Sequence, residues 1–312
     1  MTAIQLSILI PTKDRPQIVE NCLQHCLSAI NGIAAEIIVV NDSKTQDLKL
    51  SFESTLIKVY ANPKSGVASA RNFAASKASG EVLLFLDDDM LVFPDNILKT
   101  LELHQHYPKC FINLNWTYPP ELYEKISKTN FGRYLIKHGF DSLKGWNKNS
   151  TWKDDSIFES KGLTSQYLSC KRIDFIDSGG YNENFPFAGY EDLAFAEKLI
   201  QSGVKIYIYP LSVVYHNETD RCELRPWLNR KTRGGVTIRT ANELGYKQTL
   251  IYYSRFKRFF YGLLLQFKAL WFACYSVIPN TKRMDAVAFF FINLLLAVHL
   301  FDGYMNYKKH LH

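Results

Sequence analysis

The chain lacks the marks of several large protein classes. Six cysteines are present in 312 residues, and no two form a CxxC pair. Cys110, Cys170, Cys222 and Cys274 are scattered. Cys22 and Cys26 lie four apart, which suits core packing on one helix face better than a zinc site or a disulfide framework. No internal repeat or low-complexity tract is present, and the ordinary glycine and proline content excludes a collagen-like chain. The N-terminal stretch has an apolar run of only five residues, Leu6 to Ile10, too short for the h-region of an export signal. Export is therefore not expected, and the thiols are expected to be reduced. Neither GxGxxG nor GxxxxGK(S/T) follows that run, which argues against a dinucleotide or P-loop site.

What the chain does have is apolar and aromatic bulk. At 47% hydrophobic and 21% charged it can bury a core, and its length suggests about two domains. The net charge of +7 hides an asymmetry. Residues 1–220 hold 22 Lys and Arg against 26 Asp and Glu, giving −4; residues 221–312 hold 15 against 4, giving +11. An acidic body with a basic tail suggests that the tail meets an anionic partner, lipid or nucleic acid.

The first hundred residues alternate short β-branched runs with helical patterns. Leu6–Ile10, Ile37–Val40, Ile57–Tyr60 and Val82–Leu86 read as strands. Between them, Ile18 to Ile30 has helical spacing, with Asp14 as expected N-cap and Pro16 in the first turn, and an Ala-rich helix runs to about Ala78. Continuous apolar strands separated by helices predict an α/β fold whose mostly parallel sheet is covered on both faces. In such sheets ligands sit outside the carboxyl ends of the strands. Three polar clusters fall there: Pro11-Thr12-Lys13-Asp14, Asn41-Asp42-Ser43 and Asp87-Asp88-Asp89. Carboxylates cannot cradle a phosphate, but they can hold a hard divalent cation that does. The alternative for three adjacent Asp is a solvated turn, although like charges at a strand end need a counter-ion.

The strings SILIPTKDRP, EIIVVNDS, SGVASARN and GEVLLFLDDDM, in that order, resemble the nucleotide-binding half of family 2 glycosyltransferases of the GT-A fold, over about residues 4–105. GGYNENFPFAGYEDLAFAEKLIQSG and VVYHNE extend the resemblance to about residue 220. The resemblance implies a Rossmann-like sheet flanked by helices over residues 1–220, with an acceptor and catalytic half at about 106–220. Residues 221–312 would form a basic, apolar helical extension. It implies that Pro11 and Thr12 lie against the nucleotide base, that Asp42 accepts from the base or ribose, and that Arg71 faces the nucleotide. Asp87 would turn to the ribose, with Asp88 beside it in the nucleotide site. Asp89 would bind Mg²⁺ or Mn²⁺, with His216 as a further ligand; otherwise His216 is a satisfied strand-end imidazole. Glu191 and Asp192 suit the dipole of a helix start. They also resemble the ED pair of inverting members, with Asp192 as general base and Glu191 positioning the acceptor. Inverting sugar transfer needs such a base opposite the departing diphosphate.

The implied activity is transfer of a sugar from a nucleoside-diphosphate donor, with uridine the family's usual base, to a glycan or lipid-linked acceptor hydroxyl. A polyprenyl-phosphate sugar synthase is the nearest rival, but its anionic acceptor needs no base. A membrane-bound nucleotide-sugar sensor or inactive scaffold is the alternative from another class. Trp116, Tyr118, Tyr123, Tyr134, Trp146 and Trp152 could stack on an acceptor or simply pack. In the tail, Phe260–Ile278 is borderline and Ala286–Phe301 short for a membrane span. Cations interleaved with aromatics fit an interfacial or re-entrant seat on anionic lipid, at the cytoplasmic face of the cell membrane, better than a nucleic-acid groove; the alternative location is the cytoplasm. Packing on the catalytic domain, or in a homo-oligomer, is the other use for these helices.

Overall fold

In a computed structural model, residues 3–147, 151–219, 222–246 and 251–311 are described, and the chain divides into two compact units. The first comprises Met1–Tyr118, Ser142–Glu183 and Glu191–Asn217; the second comprises Pro119–Asp141, Asn184–Tyr190 and Glu218–His312. The expected boundary at 220/221 lies outside the described residues. The units interleave in sequence, because residues 119–141 and 184–190 group with the C-terminal helices.

The first unit is built on one sheet. Its strands are β1 (Leu6–Thr12), β2 (Ala35–Asn41), β3 (Ile57–Ala61), β4 (Val82–Leu86), β5 (Met90–Leu91), β6 (Cys110–Thr117), β7 (Phe158–Glu159), β8 (Tyr167–Lys171) and β9 (Lys205–His216). Their order among the described residues is β3-β2-β1-β4-β8-β6-β9-β5, with β7 on β9. β1 to β4 pair in parallel, as do β6 and β9, and β8 runs antiparallel between β4 and β6. β1, β2 and β4 are buried along their whole length, as strands must be when helices cover both faces of a parallel sheet. β3, at the edge, exposes Lys58, Val59 and Ala61. Register between β6 and β9 shifts at Leu114/Asn115, opposite the segment holding Pro210, whose missing N–H cannot join the ladder.

Helix Pro16–Ala29 turns Val19, Cys22, Leu23 and Cys26 inward, so the paired cysteines pack in the core. The expected N-cap at Asp14 is displaced by one residue to Arg15, and Asp14 takes a φ of 56°. The cause is Pro16, which fits the first helical position and disfavours a helical residue before it. On one sheet face, Leu9, Ile38, Leu83, Phe85 and Leu168 meet Ala68, Ala70 and Ala74 of helix Val67–Lys77, together with Phe175, Tyr181 and Phe195. Of the aromatics considered for acceptor stacking, Trp116, Tyr118 and Tyr134 are buried, whereas Tyr123 and Trp146 are exposed.

The second unit is helical: Pro120–Ser127, Asn130–His138, Leu224–Glu243, Arg255–Gln266, Lys268–Ser276 and Asp285–Met305. Lys282–Met305 is long and apolar enough to cross a membrane by length and composition. It nevertheless buries Ala288, Phe289, Ile292 and Leu295 against Phe131, Tyr134, Trp227 and Leu228. Polar groups lock the same faces together. The Tyr134 hydroxyl donates to Asn293 at 2.7 Å, Thr232 Oγ1 lies 2.8 Å from His299 Nδ1, and Arg133 forks onto Asp285 at 2.7–3.1 Å. Helices Leu224–Glu243 and Asp285–Met305 approach closely through glycine. A Cβ on Gly303 would lie 1.9 Å from the Thr232 carbonyl oxygen, and one on Gly235 would lie 2.3 Å from that of Leu300. Gly303→Ala is therefore expected to cost about 1–3 kcal/mol in chemical denaturation, as overpacking does. Gly234→Ala, whose Cβ would meet nothing closer than 4.0 Å, should be neutral or slightly stabilising by the same measurement.

Candidate active site

Two antiparallel steps through β8 restore the direction of β4 in β6 and β9. The C-terminal ends of β1, β2, β4 and β9 consequently share one edge of the sheet. The predicted strand-end residues stand on that edge in four groups, each held by a different part of the fold.

Asp89 and His216 form the first group. β5 begins directly after Asp89 and pairs antiparallel with the end of β9, setting Met90 against His216. The Asn217 N–H donates to the Asp89 carbonyl at 2.8 Å. This register leaves Asp89 Oδ1 3.2 Å from His216 Nε2, with both side chains buried. The imidazole stands edge-on to Trp116 at 5.0 Å and near Tyr118 at 6.1 Å, which fixes its plane. Glu218, two residues further along the chain, is also buried and accepts from Arg230 at 2.6 Å. A carboxylate beside an imidazole is a donor set for a divalent cation, the first suited to Mg²⁺ or Mn²⁺ and the second tilting the choice toward a transition metal.

Asp88 turns into the protein. Thr12 Oγ1 donates to it at 2.6 Å, and Arg15 binds both of its oxygens while also reaching Asp89 Oδ2 at 3.1 Å. Burial, with Asp89 adjacent, raises the Asp88 pKa to about 6 against the pull of Arg15 and Thr12. The triple Asp is thus no solvated turn, and the counter-ions it needs are arginines. Pro11 is buried within β1, and the Thr12 hydroxyl is spent on Asp88.

Asp42, at the end of β2, organises the loop before helix Val67–Lys77. Its Oδ1 accepts from Asn62 Nδ2 at 2.6 Å and from the Gly66 N–H at 2.9 Å, while Lys13 lies 3.6 Å from Oδ2. Gly66 has a φ of 117°, a conformation that favours glycine and aims this N–H at the carboxylate.

Arg71 is the hub of the fourth group. It is buried on helix Val67–Lys77, donating Nη2 to Asp87 at 2.9 Å and Nη1 to Glu191 at 3.0 Å, with Asp192 Oδ1 at 3.5 Å. Its guanidinium also lies over the Tyr181 ring at 5.5 Å. Glu191 and Asp192 open helix Glu191–Gln201 as predicted. The Ser165 N–H donates to Asp192 Oδ2 at 2.9 Å, and the Ser165 hydroxyl, 2.8 Å from the Tyr181 hydroxyl, donates to Oδ1. Burial first, then Glu191, lifts the Asp192 pKa to about 7 despite Arg71 and Ser165. Asp87 and Asp192 each keep part of their surface open, at 28% and 22% of the side chain. Ser165, Tyr181 and Arg15 were missed by sequence reasoning. Arg15 lies inside the TKDRP string, but nothing local aims it at Asp88; Ser165 opens the SQYLSCKR stretch without being marked as a partner of Asp192.

Residues 7–156 match the sequence model of the family described as Glycosyl transferase family 2. The chain carries a family 2 glycosyl transferase domain. An uncharacterized glycosyltransferase of Haemophilus influenzae is 30% identical over 131 residues, 39% of this chain and 41% of that protein. The chain thus spans about two fifths of that relative's length. Among solved structures, a mannosyltransferase of Pyrobaculum calidifontis in complex with GDP-Man and Mn²⁺ aligns with a TM-score of 0.54 at 13% identity, over 96% of this chain and 87% of that one. TarS 1-349 of S. aureus in complex with UDP-GlcNAc aligns with a TM-score of 0.50 at 13% identity, over 98% and 92%. These likenesses give the glycosyl transferase domain the GT-A fold expected for it.

Arg71 gathers Asp87, Glu191 and Asp192 around one cation. Arg71→Met should therefore destabilise the chain by about 3–5 kcal/mol at neutral pH, because it strands buried carboxylates. Asp192, whose charged form Arg71 favours, gains a proton more readily once the cation is gone. The deficit should shrink as pH falls from 7 to 5, read as denaturation midpoints across that range.

Proposed function

We propose that the chain moves a sugar from a nucleoside-diphosphate donor to an acceptor hydroxyl with inversion at the anomeric carbon. The observation that carries this reading is Asp192. It is a partly open carboxylate at a strand-edge helix start, its pKa lifted to about 7, and fixed by Ser165 and Arg71. A carboxylate so tuned is poised to take a proton at neutral pH. The acceptor oxygen attacks the anomeric carbon, its proton passes to Asp192, and the bond to the diphosphate breaks. Arg71 ties the base to Asp87, so that the donor-side and acceptor-side carboxylates keep a fixed relation. Glu191, whose carboxylate is taken by Arg71, serves in positioning.

Asp89 and His216 would hold the divalent cation, and the imidazole favours Mn²⁺ over Mg²⁺. Such an ion, when bound, neutralises the charge that develops on the leaving diphosphate. Asp87 and Asp42 would face the ribose and base, with Asp42 acting through the Asn62–Gly66 loop that it shapes. A UDP donor and a glycan or lipid-linked acceptor are proposed from the resemblance and from neighbours solved with UDP-GlcNAc and GDP-Man.

Asp192→Asn should lower transfer by about 10²–10⁴-fold, the usual worth of a general base, while Mn²⁺-dependent protection by UDP-sugar in thermal shift persists. Unchanged turnover would defeat the base assignment. In the unaltered chain, kcat/KM should rise with pH through about 7, because the folded-state pKa is raised and the base works only when deprotonated. Asp89→Asn and His216→Ala should each abolish the Mn²⁺ dependence of donor binding. Retention of that dependence in both would remove them as ligands.

A further inference from the structure

The second unit has a surface that its own packing leaves unused. Helices Arg255–Gln266 and Lys268–Ser276 contain no buried residue. Tyr261 ties the first of them inward, its ring 5.5 Å from Phe301. On the outside, Phe256, Phe259, Phe260, Leu263, Phe267 and Leu270 are exposed, Phe256 by 76% and Phe259 by 74%. Steps of three and four residues align Phe256, Phe259, Phe260 and Leu263 along helix Arg255–Gln266, Phe267 and Leu270 follow at its end and on the next helix, and the Phe256 and Phe260 rings stack 6.4 Å apart. Single exposed apolar side chains are ordinary, but four large ones aligned on one helix, with two more directly after it, mark a surface meant to be covered.

Charge says by what. Residues 251–284 contain six Lys and Arg and no Asp or Glu. Arg255, Lys257 and Arg258 crowd the first turn of the same helix and are exposed, with no ion-pair partner among the described residues. Cations at a helix N-terminus oppose its dipole, so these three weaken the helix they sit on; Arg258 donates Nε to the Tyr253 carbonyl at 2.9 Å, and no acid among the described residues answers the three charges. A two-fold contact between copies would set this acid-free segment against itself. A nucleic acid would answer the cations but leave the phenyl rings in water.

We propose that this face binds a membrane of anionic phospholipid. The stripe enters the interfacial layer and the cations engage headgroup phosphates, which seats the chain peripherally on a leaflet rich in anionic lipid, such as the cytoplasmic one. Helix Asp285–Met305, packed against Leu224–Glu243, supports the lipid-facing helices as a floor.

The full chain, floated with vesicles, tests this. Vesicles of phosphatidylcholine mixed with phosphatidylglycerol should retain it at least about tenfold better than phosphatidylcholine alone, and raised salt should weaken retention. Phe256→Ser with Phe259→Ser, and separately Arg255→Gln with Lys257→Gln and Arg258→Gln, should each lower retention about tenfold. Circular dichroism and Mn²⁺-dependent donor protection should stay unchanged in both, keeping this outcome separate from that of the proposed transfer. Absence of flotation by the folded full chain, or equal retention on both vesicle types, overturns the proposal. So does a concentration-dependent dimer, or a DNA shift, that the same substitutions abolish while vesicles fail to bind.

Discussion

One buried guanidinium organises the candidate site. Arg71 donates to Asp87 from one nitrogen and to Glu191 from another, with Asp192 within ion-pair distance. The planar fork of arginine can serve several carboxylates in fixed directions, where a lysine would act as a single point charge. Removing three acids from water is costly, and one cation offsets that cost only because its own burial holds the geometry. The result is a compromise visible in Asp192, whose pKa stays raised to about 7 although Arg71 and Ser165 both favour its charged form. A fully compensated acid would be a poor base at neutral pH, and an uncompensated one would not stay buried.

The remaining acids follow the same rule with other partners. Asp88 goes to Arg15 and Thr12, Asp89 to Arg15 and His216, and Asp42 to Asn62, Gly66 and Lys13. Three consecutive like charges are tolerable because each finds cationic partners, Arg71 for Asp87 and Arg15 for both Asp88 and Asp89. The acids of the sheet edge are therefore not a diffuse field. They are a set of assigned carboxylates, two of which remain partly open at the sheet edge.

The helical unit works by a different constraint. Its central helix is apolar enough to pass for a membrane span, yet glycine pairs and buried polar contacts bind it to neighbouring helices. Hydropathy alone cannot separate a core helix from a spanning one, because both are apolar on most sides. Packing ties this helix to its neighbours, and the proposed lipid-facing surface belongs to the shorter basic helices beside it.

The parallel strands, the helices between them, the strand-end acids and the helix start at Glu191 were all legible, because period and punctuation act over a few residues. So was the resemblance carried by TKDRP, SARN, DDD and YED. Nothing local announced that Ser165 would hold Asp192, that Arg15 would claim Asp88, or that Trp116 would brace His216 rather than await an acceptor. Those pairings join residues from about thirty to a hundred positions apart, and they exist only once β1 lies beside β4, β8 reverses direction and β5 folds onto β9. Sequence by itself determined which chemistry the chain could carry, since residue types at strand ends are set by local order. Tertiary structure alone decided which acid is clamped and which stays open, because burial and partners are properties of the packed sheet edge.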